Sequence, residues 1–420
     1  MERIRKIQKV KIPVKVSKAF YPVIVLLLLF LLNGCATTYS RVKPDSAMVP
    51  LKPVDTEIAE DELFDVRIKV FDPGKLPAKK NDALGLSKKI REAEALYFPV
   101  QLKKTIQKTG CWGAVSVGPE ESSGDEVIVS GTILKSNGEE LELEIEVHDA
   151  SGKQWYKKKY YSAVSEDRYK ESKDNNSEAF QGIYNRISND LLEYRKKMDS
   201  KEVIDIRHIA EMRFAAELAP DAFSGYLKKN DKNNMITIDR LPSEDSEMLA
   251  RVRRLRERDY MLTDTIDSHY NNLYQEMNEP YANWRKTRLD EINLIREMDS
   301  NKNKEQLKGV LMILAGVAAA ILIEKETHSS ATAATVAGAS AIAGASAISK
   351  AKQIADESQI NKAALEELGI SFEAEVAPFV VDLEGETIEL KGSAQEIMEK
   401  WREALTRLYR VETGDLATHD

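Results

Sequence analysis

Residues Glu126–Leu134, E-V-I-V-S-G-T-I-L, and Leu141–His148, L-E-L-E-I-E-V-H, decide how this chain folds. Both are rich in β-branched or strictly alternating residues, the pattern of strands whose two faces meet different surroundings. Asn137-Gly138 stands between them and Ser151-Gly152 follows the second, each a pair suited to a tight hairpin turn. Gln154–Val164 continues as a further strand, and Trp112–Val117 precedes the first behind Gly110-Cys111. Further back, Phe64–Phe71 puts Phe64, Val66, Ile68 and Val70 on one face and Asp65, Arg67 and Lys69 on the other, a half-buried strand closed by the turn Asp72-Pro73-Gly74. Ser87 then caps a helix presenting Ile90, Ala93 and Tyr97. Pro99, which has no N–H to donate, is expected to interrupt that helix and open a second one, with Val100, Leu102 and Ile106 facing inward. A strand, helices, three or four antiparallel strands and a helix around Ala179–Met198 make residues 63–200 an α+β domain, a small antiparallel-sheet and helix layer.

The run Thr109–Val117, T-G-C-W-G-A-V-S-V, taken with the two runs quoted first and extended through Asp149, Ser151, Gly152 and Trp155, resembles the small α/β domain of Tol-system and curli-secretion-type envelope lipoproteins. In those proteins a glycine follows a strand entering the sheet, as Gly131 does, and an aspartate–serine–glycine turn precedes an aromatic strand. The resemblance spans about 100 residues and rests on turn chemistry. It implies a binding or assembly domain of the cell envelope, not a catalyst.

Residues 201–306 read as helical. From Ser243 a long amphipathic helix carries Leu249, Val252, Leu255, Leu262, Ile266, Leu273 and Met277 at near-heptad spacing, interrupted at Asp259 and broken or kinked at Pro280. Arg251, Arg253, Arg254, Arg256 and Arg258 lie on its other faces; a phosphate or lipopolysaccharide site is one reading, a solvated or salt-bridged face the other. Tyr260, Tyr270, Tyr274, Tyr281 and Trp284 read as core packing. Residues 307–350 form two apolar, small-residue-rich segments joined by seven residues, a helical hairpin that inserts in a membrane, oligomerises, or packs within the protein. Gly309–Ile323 would rise only about 22 Å, short for a bilayer, and Ala331–Ile348 is poor in Leu, which favours packing in protein. Residues 351–420 read as a charged helix, a β-hairpin around Glu384-Gly385, and a helix opened by the capping box Ser393-Ala394-Gln395-Glu396.

At the start, a basic leader precedes the ten apolar residues Val23–Leu32 and the tetrapeptide Leu32-Asn33-Gly34-Cys35. Ten helical residues rise about 15 Å against a hydrocarbon core of roughly 30 Å, so residues 1–34 read as a signal peptide. The tetrapeptide resembles the bacterial lipobox, which implies that the Cys35 thiol receives a diacylglyceryl group and becomes the first residue of the mature chain. Membrane attachment then comes from lipid on Cys35. Ala36 stands where inner-membrane retention in such proteins shows Asp, so the expected location is the outer membrane, facing the periplasm. Residues 35–62, rich in Pro, Ser and Thr, read as a tether.

Without the leader's seven basic residues and Glu2, the formal charge of −8 becomes about −14. An acidic chain has no general attraction to nucleic acid. Cys111, the other cysteine, reads as a buried thiol or a site of intermolecular pairing. No Gly-rich phosphate loop, H-E-x-x-H, paired C-x-x-C or G-x-S-x-G occurs, and His148, His208, His269, His328 and His419 have no ligand-like spacing. His148, beside Asp149 at a strand end, reads as a turn residue. No catalytic, cofactor-binding or metal-ligating residue is assigned; Cys35 is the lipidation site. The expectation is a non-enzymatic binding or assembly factor with an envelope protein or a second copy as partner. The alternatives are a channel or secretion subunit using residues 309–348, and an envelope hydrolase with a scattered site.

Overall fold

Strand β1 (Phe64–Lys69) lies inside a five-stranded sheet with β2 (Trp112–Gly118) on one side and β3 (Val127–Ser136), β4 (Glu140–Asp149) and β5 (Gln154–Ala163) on the other. The structure is a computed structural model, and it describes residues 48–55, 58–78, 86–174, 177–300, 307–314, 345–374, 379–383 and 386–413. These belong to one compact unit. Cys35, and most of the hairpin at 309–348, lie outside the described residues.

The α+β class holds, with one difference in the sheet. Only β3–β4 and β4–β5 are antiparallel; β1 is parallel to both β2 and β3. A helical crossover explains the first parallel pairing, because helix α1 (Lys88–Gln107) carries the chain back to the starting end of the sheet before β2 begins. The hairpin turns lie where Asn137-Gly138 and Ser151-Gly152 predict them, with φ of +89° at Gly138 and +81° at Gly152. Asp149 organises the second turn: its Oδ1 accepts from Ser151 N at 2.9 Å and its Oδ2 from Trp155 Nε1 at 2.8 Å. Gly131 has its own reason, since a Cβ there would sit 2.6 Å from the buried Phe71 ring.

Pro99 does not divide α1. A proline removes the bond to the carbonyl four residues back, here that of Ala95, and Phe71 N donates to this freed oxygen at 3.1 Å. A tertiary contact thus replaces the missing helical one. Ser87 caps the helix as expected, its hydroxyl accepting from Ile90 N at 3.2 Å.

Residues 48–55 and 58–62, expected in the tether, are part of the folded body. Helix α2 (Glu166–Asp174) is followed by α3 (Gln181–Arg195), whose Asn185 Nδ2 donates to Val49 O at 2.8 Å and Asn189 Nδ2 to Pro50 O at 2.9 Å. The backbone at Val49 and Pro50 presents its carbonyls to this helix face. Val54 N donates to Thr109 O at 2.8 Å.

Helices α4 (Ser200–Leu218) and α5 (Pro220–Phe223) lead to a small hairpin of β6 (Leu227–Lys229) and β7 (Ile236–Ile238), the strands flanking the polar loop at Asn230–Asn234. Helix α6 (Glu247–Ser300) then runs 54 residues through both Asp259 and Pro280 without a break, about 81 Å at 1.5 Å per residue. Its apolar stripe continues across Pro280 because the same partner, α1, lies against both halves. Tyr97 of α1 stacks on Tyr274 at 4.6 Å between ring centroids and meets Tyr281 at 4.7 Å. Of the five aromatics expected in the core, Tyr270, Tyr274, Tyr281 and Trp284 are buried, and Tyr260 is 37% exposed, with the rest of its side chain covered. The other half of α6 covers the second face of β1. Arg67 there is buried, pairing with Asp125 at 3.3 Å and donating to Thr263 Oγ1 at 3.1 Å.

Helix α7 (Ala345–Ala374) lies against α6 and α1, with Lys350 3.8 Å from Glu297 and Glu366 accepting from Ser87 Oγ at 2.8 Å. Strands β8 (Phe379–Leu383) and β9 (Glu386–Leu390) precede α8 (Ala394–Thr413), whose capping box is formed: Glu396 N donates to Ser393 Oγ at 3.3 Å and Ser393 N to Glu396 Oε2 at 2.9 Å. Ile397, Trp401, Leu405 and Leu408 of α8 are buried in the common core. Residues 307–314 are helical, with Val310, Ile313 and Leu314 buried. Among the described residues no helix is long and apolar enough to cross a membrane.

Candidate functional site

A cleft of about 760 Å³ opens between α4, α6, the start of β3 and the short 3-10 turn Glu60–Glu62. Its floor is built on Glu126, which is 3% exposed. Glu126 Oε2 accepts from Asp65 N at 2.9 Å and Oε1 accepts from Arg207 Nε of α4 at 3.2 Å. Arg256 of α6 donates through Nη2 to Gly124 O at 2.8 Å and through Nε to Tyr260 OH at 3.0 Å; that hydroxyl donates on to Asp65 Oδ2 at 3.1 Å. Arg207 Nη1 also reaches Glu60 O at 2.9 Å, tying the 3-10 turn to α4. On the far wall Arg253 spans Glu211 at 2.7 Å and Glu244 at 3.0 Å. His208 and Ile204 complete the lining.

Burial and the neighbouring Asp65 push the Glu126 carboxyl above its ordinary range, while Arg207 and Arg256 pull it back. The Tyr260 phenol is pushed up to about 12, by burial first, and stays a proton donor at neutral pH. The cleft thus holds guanidinium groups clamped in place by carboxylates and carbonyls, beside the exposed carboxylates of Glu60 and Asp61.

The arginine run is divided among separate partners. Arg253 and Arg256 enter the cleft; Arg254 lies 3.9 Å from Glu412 of α8. The salt-bridged reading of that run matches these pairings. His148 sits at its strand end, 3.4 Å from Glu121, whose carboxyl the imidazole hydrogen bond holds down at about 2. Cys111 is fully buried, its thiol pushed up by burial and 3.5 Å from Thr109 Oγ1. Among the described residues no three His, Cys, Asp or Glu side chains are grouped to hold a metal ion.

Where α8 packs on α6, Trp401 Nε1 donates to Asp259 Oδ1 at 3.1 Å. Burial raises the Asp259 carboxyl to about 6, against the opposing pull of Arg67, with Asp125 adding to the rise. An unfolded aspartate titrates near 3.8. Between those two values the native chain holds a proton that the unfolded chain has lost, so this group's contribution to stability falls as pH rises from about 4 to about 6 and stays lost above that. Asp259→Asn keeps the acceptor for Trp401 and cannot ionise. It should be about 1–3 kcal/mol more stable than the parent at pH 7, the gap closing by about pH 4, as read by urea unfolding at successive pH values.

Sequence reading reached Arg253, Arg256 and Tyr260 only as members of a charged run and an aromatic series. Glu60, Glu126, Arg207, His208 and Glu211 carried no local signal, because segments far apart in the chain bring them together. No known protein family, curated protein or solved structure matches this chain.

Proposed function

We propose that this chain is a lipid-anchored cell-envelope protein that acts as a non-enzymatic binding or assembly factor, attached through Cys35 to the outer membrane and facing the periplasm. The observation that carries the reading is the order of basic leader, apolar core and Leu32-Asn33-Gly34-Cys35. A diacylated cysteine supplies membrane affinity of about 0.8 kcal/mol per buried methylene, which an acidic body does not provide by charge. The clamped arginines and carboxylates of the cleft support binding as the task of the body. Its partner is an envelope protein, a second copy, or a smaller ligand of that compartment.

Growth with a radiolabelled fatty acid tests the anchor. The parent should incorporate label, and Cys35→Ala should incorporate none and accumulate as the full-length precursor at the inner membrane. Label retained in Cys35→Ala removes the reading. Separation of the parent's membranes on a density gradient should place it with the outer membrane.

A further inference from the structure

We propose that the cleft between α4, α6 and the Glu60–Glu62 turn binds a short zwitterionic peptide, its carboxylate held by Arg207 and Arg256 and its ammonium group by Glu60 and Asp61. This deepens the binding-factor reading and rests on it for the compartment in which such a peptide is met.

Both arginines are positioned by their other nitrogens. Arg207 uses Nε on Glu126 and Nη1 on Glu60 O. Arg256 uses Nε on Tyr260 and Nη2 on Gly124 O. Among the described residues, Arg207 Nη2 and Arg256 Nη1 make no hydrogen bond. Two donors from two helices, fixed before any ligand arrives, suit a planar carboxylate and need little ordering when it binds.

Glu60 and Asp61 are exposed on the same cleft's rim, and their carboxylates make no hydrogen bond or ion pair among the described residues. They are acceptors for an ammonium group. Glu126 and Glu211 stand beside the guanidinium groups and oppose a multiply charged anion such as phosphate. One negative and one positive end, separated by a few bonds of peptide, match the divided charge. A cleft of about 760 Å³ accommodates a peptide of a few residues.

Titration calorimetry of the full-length protein in detergent, with trialanine, N-acetyl-trialanine and trialanine amide as probes, tests the assignment. Trialanine should bind, and blocking either end should weaken binding about tenfold or more, the scale of one lost charge-assisted contact. In the double variant Glu60→Gln, Asp61→Asn, trialanine should bind like the acetylated peptide and acetylation should have no further effect. Both side chains are exposed and unbonded, so this variant keeps the fold. Arg207→Gln should likewise remove the effect of the amide block; where it unfolds the chain, the rim variant alone decides. Equal binding of all three peptides, or no heat with trialanine at millimolar concentration, overturns the proposal. Fatty-acid labelling of Cys35 is read separately. Labelling without peptide binding sinks this inference alone, and peptide binding without labelling removes the envelope reading while the ligand class stands.

Discussion

Glu178→Ala is expected to lower the unfolding free energy by about 3–5 kcal/mol, the cost of leaving a buried guanidinium without its counter-charge. Glu178 accepts from Arg285 Nη1 at 2.6 Å and from Nη2 at 2.9 Å, and both side chains are buried. The guanidinium also lies over the Tyr281 ring, 4.4 Å from its centroid, and faces Phe180. Beside it, Tyr281 OH donates to Glu94 Oε1 at 2.7 Å, and Arg91 pairs with Glu94 at 3.2 Å. The pair therefore fastens α6 to the body at a point where both side chains are closed off from solvent. Arg285→Met combined with Glu178→Leu should recover most of the loss, because two apolar side chains of similar volume leave no charge to desolvate. Urea unfolding of the parent, the single variant and the double variant decides it. A single variant within about 1 kcal/mol of the parent would show that the pair is solvated, as exposed pairs are.

Gly138→Ala is expected to cost about 2–6 kcal/mol, for two reasons that add. Its φ of +89° is a conformation that side chains rarely adopt, worth about 1–3 kcal/mol. A Cβ there would also lie 2.5 Å from Arg285 O and 2.7 Å from Arg288 Cβ, so the β3–β4 turn and α6 would have to separate, at about 1–3 kcal/mol. Gly152→Ala is the control. Its φ of +81° is similarly strained, but the nearest atom, Asn234 O, is 3.3 Å from the added Cβ. Thermal and urea unfolding should rank Gly138→Ala clearly below Gly152→Ala. Equal losses would mean that α6 does not press on the turn.

Features that nearest neighbours decide can be read along the chain. The α+β class, strands β1 to β5, the turns at Asn137-Gly138 and Ser151-Gly152, the cap at Ser87 and the box at Ser393–Glu396 were all legible, because period, turn φ and first-turn hydrogen bonds act within a few residues. Packing between distant segments sets how β1 pairs, since a parallel neighbour depends on where α1 returns the chain. It also decides that α1 runs through Pro99, where the carbonyl a proline leaves free finds Phe71 N, and that α6 runs through Pro280, where one aromatic partner spans the proline. Arg67, polar on an alternating strand, reads as solvent-facing until Thr263 of α6 and Asp125 cover it. The cleft is the extreme case. Glu60, Glu126, Arg207 and Arg256 share no local pattern, and their proximity comes from the packing of α4 and α6 beside the start of β3, a relation among distant segments that no window of sequence contains.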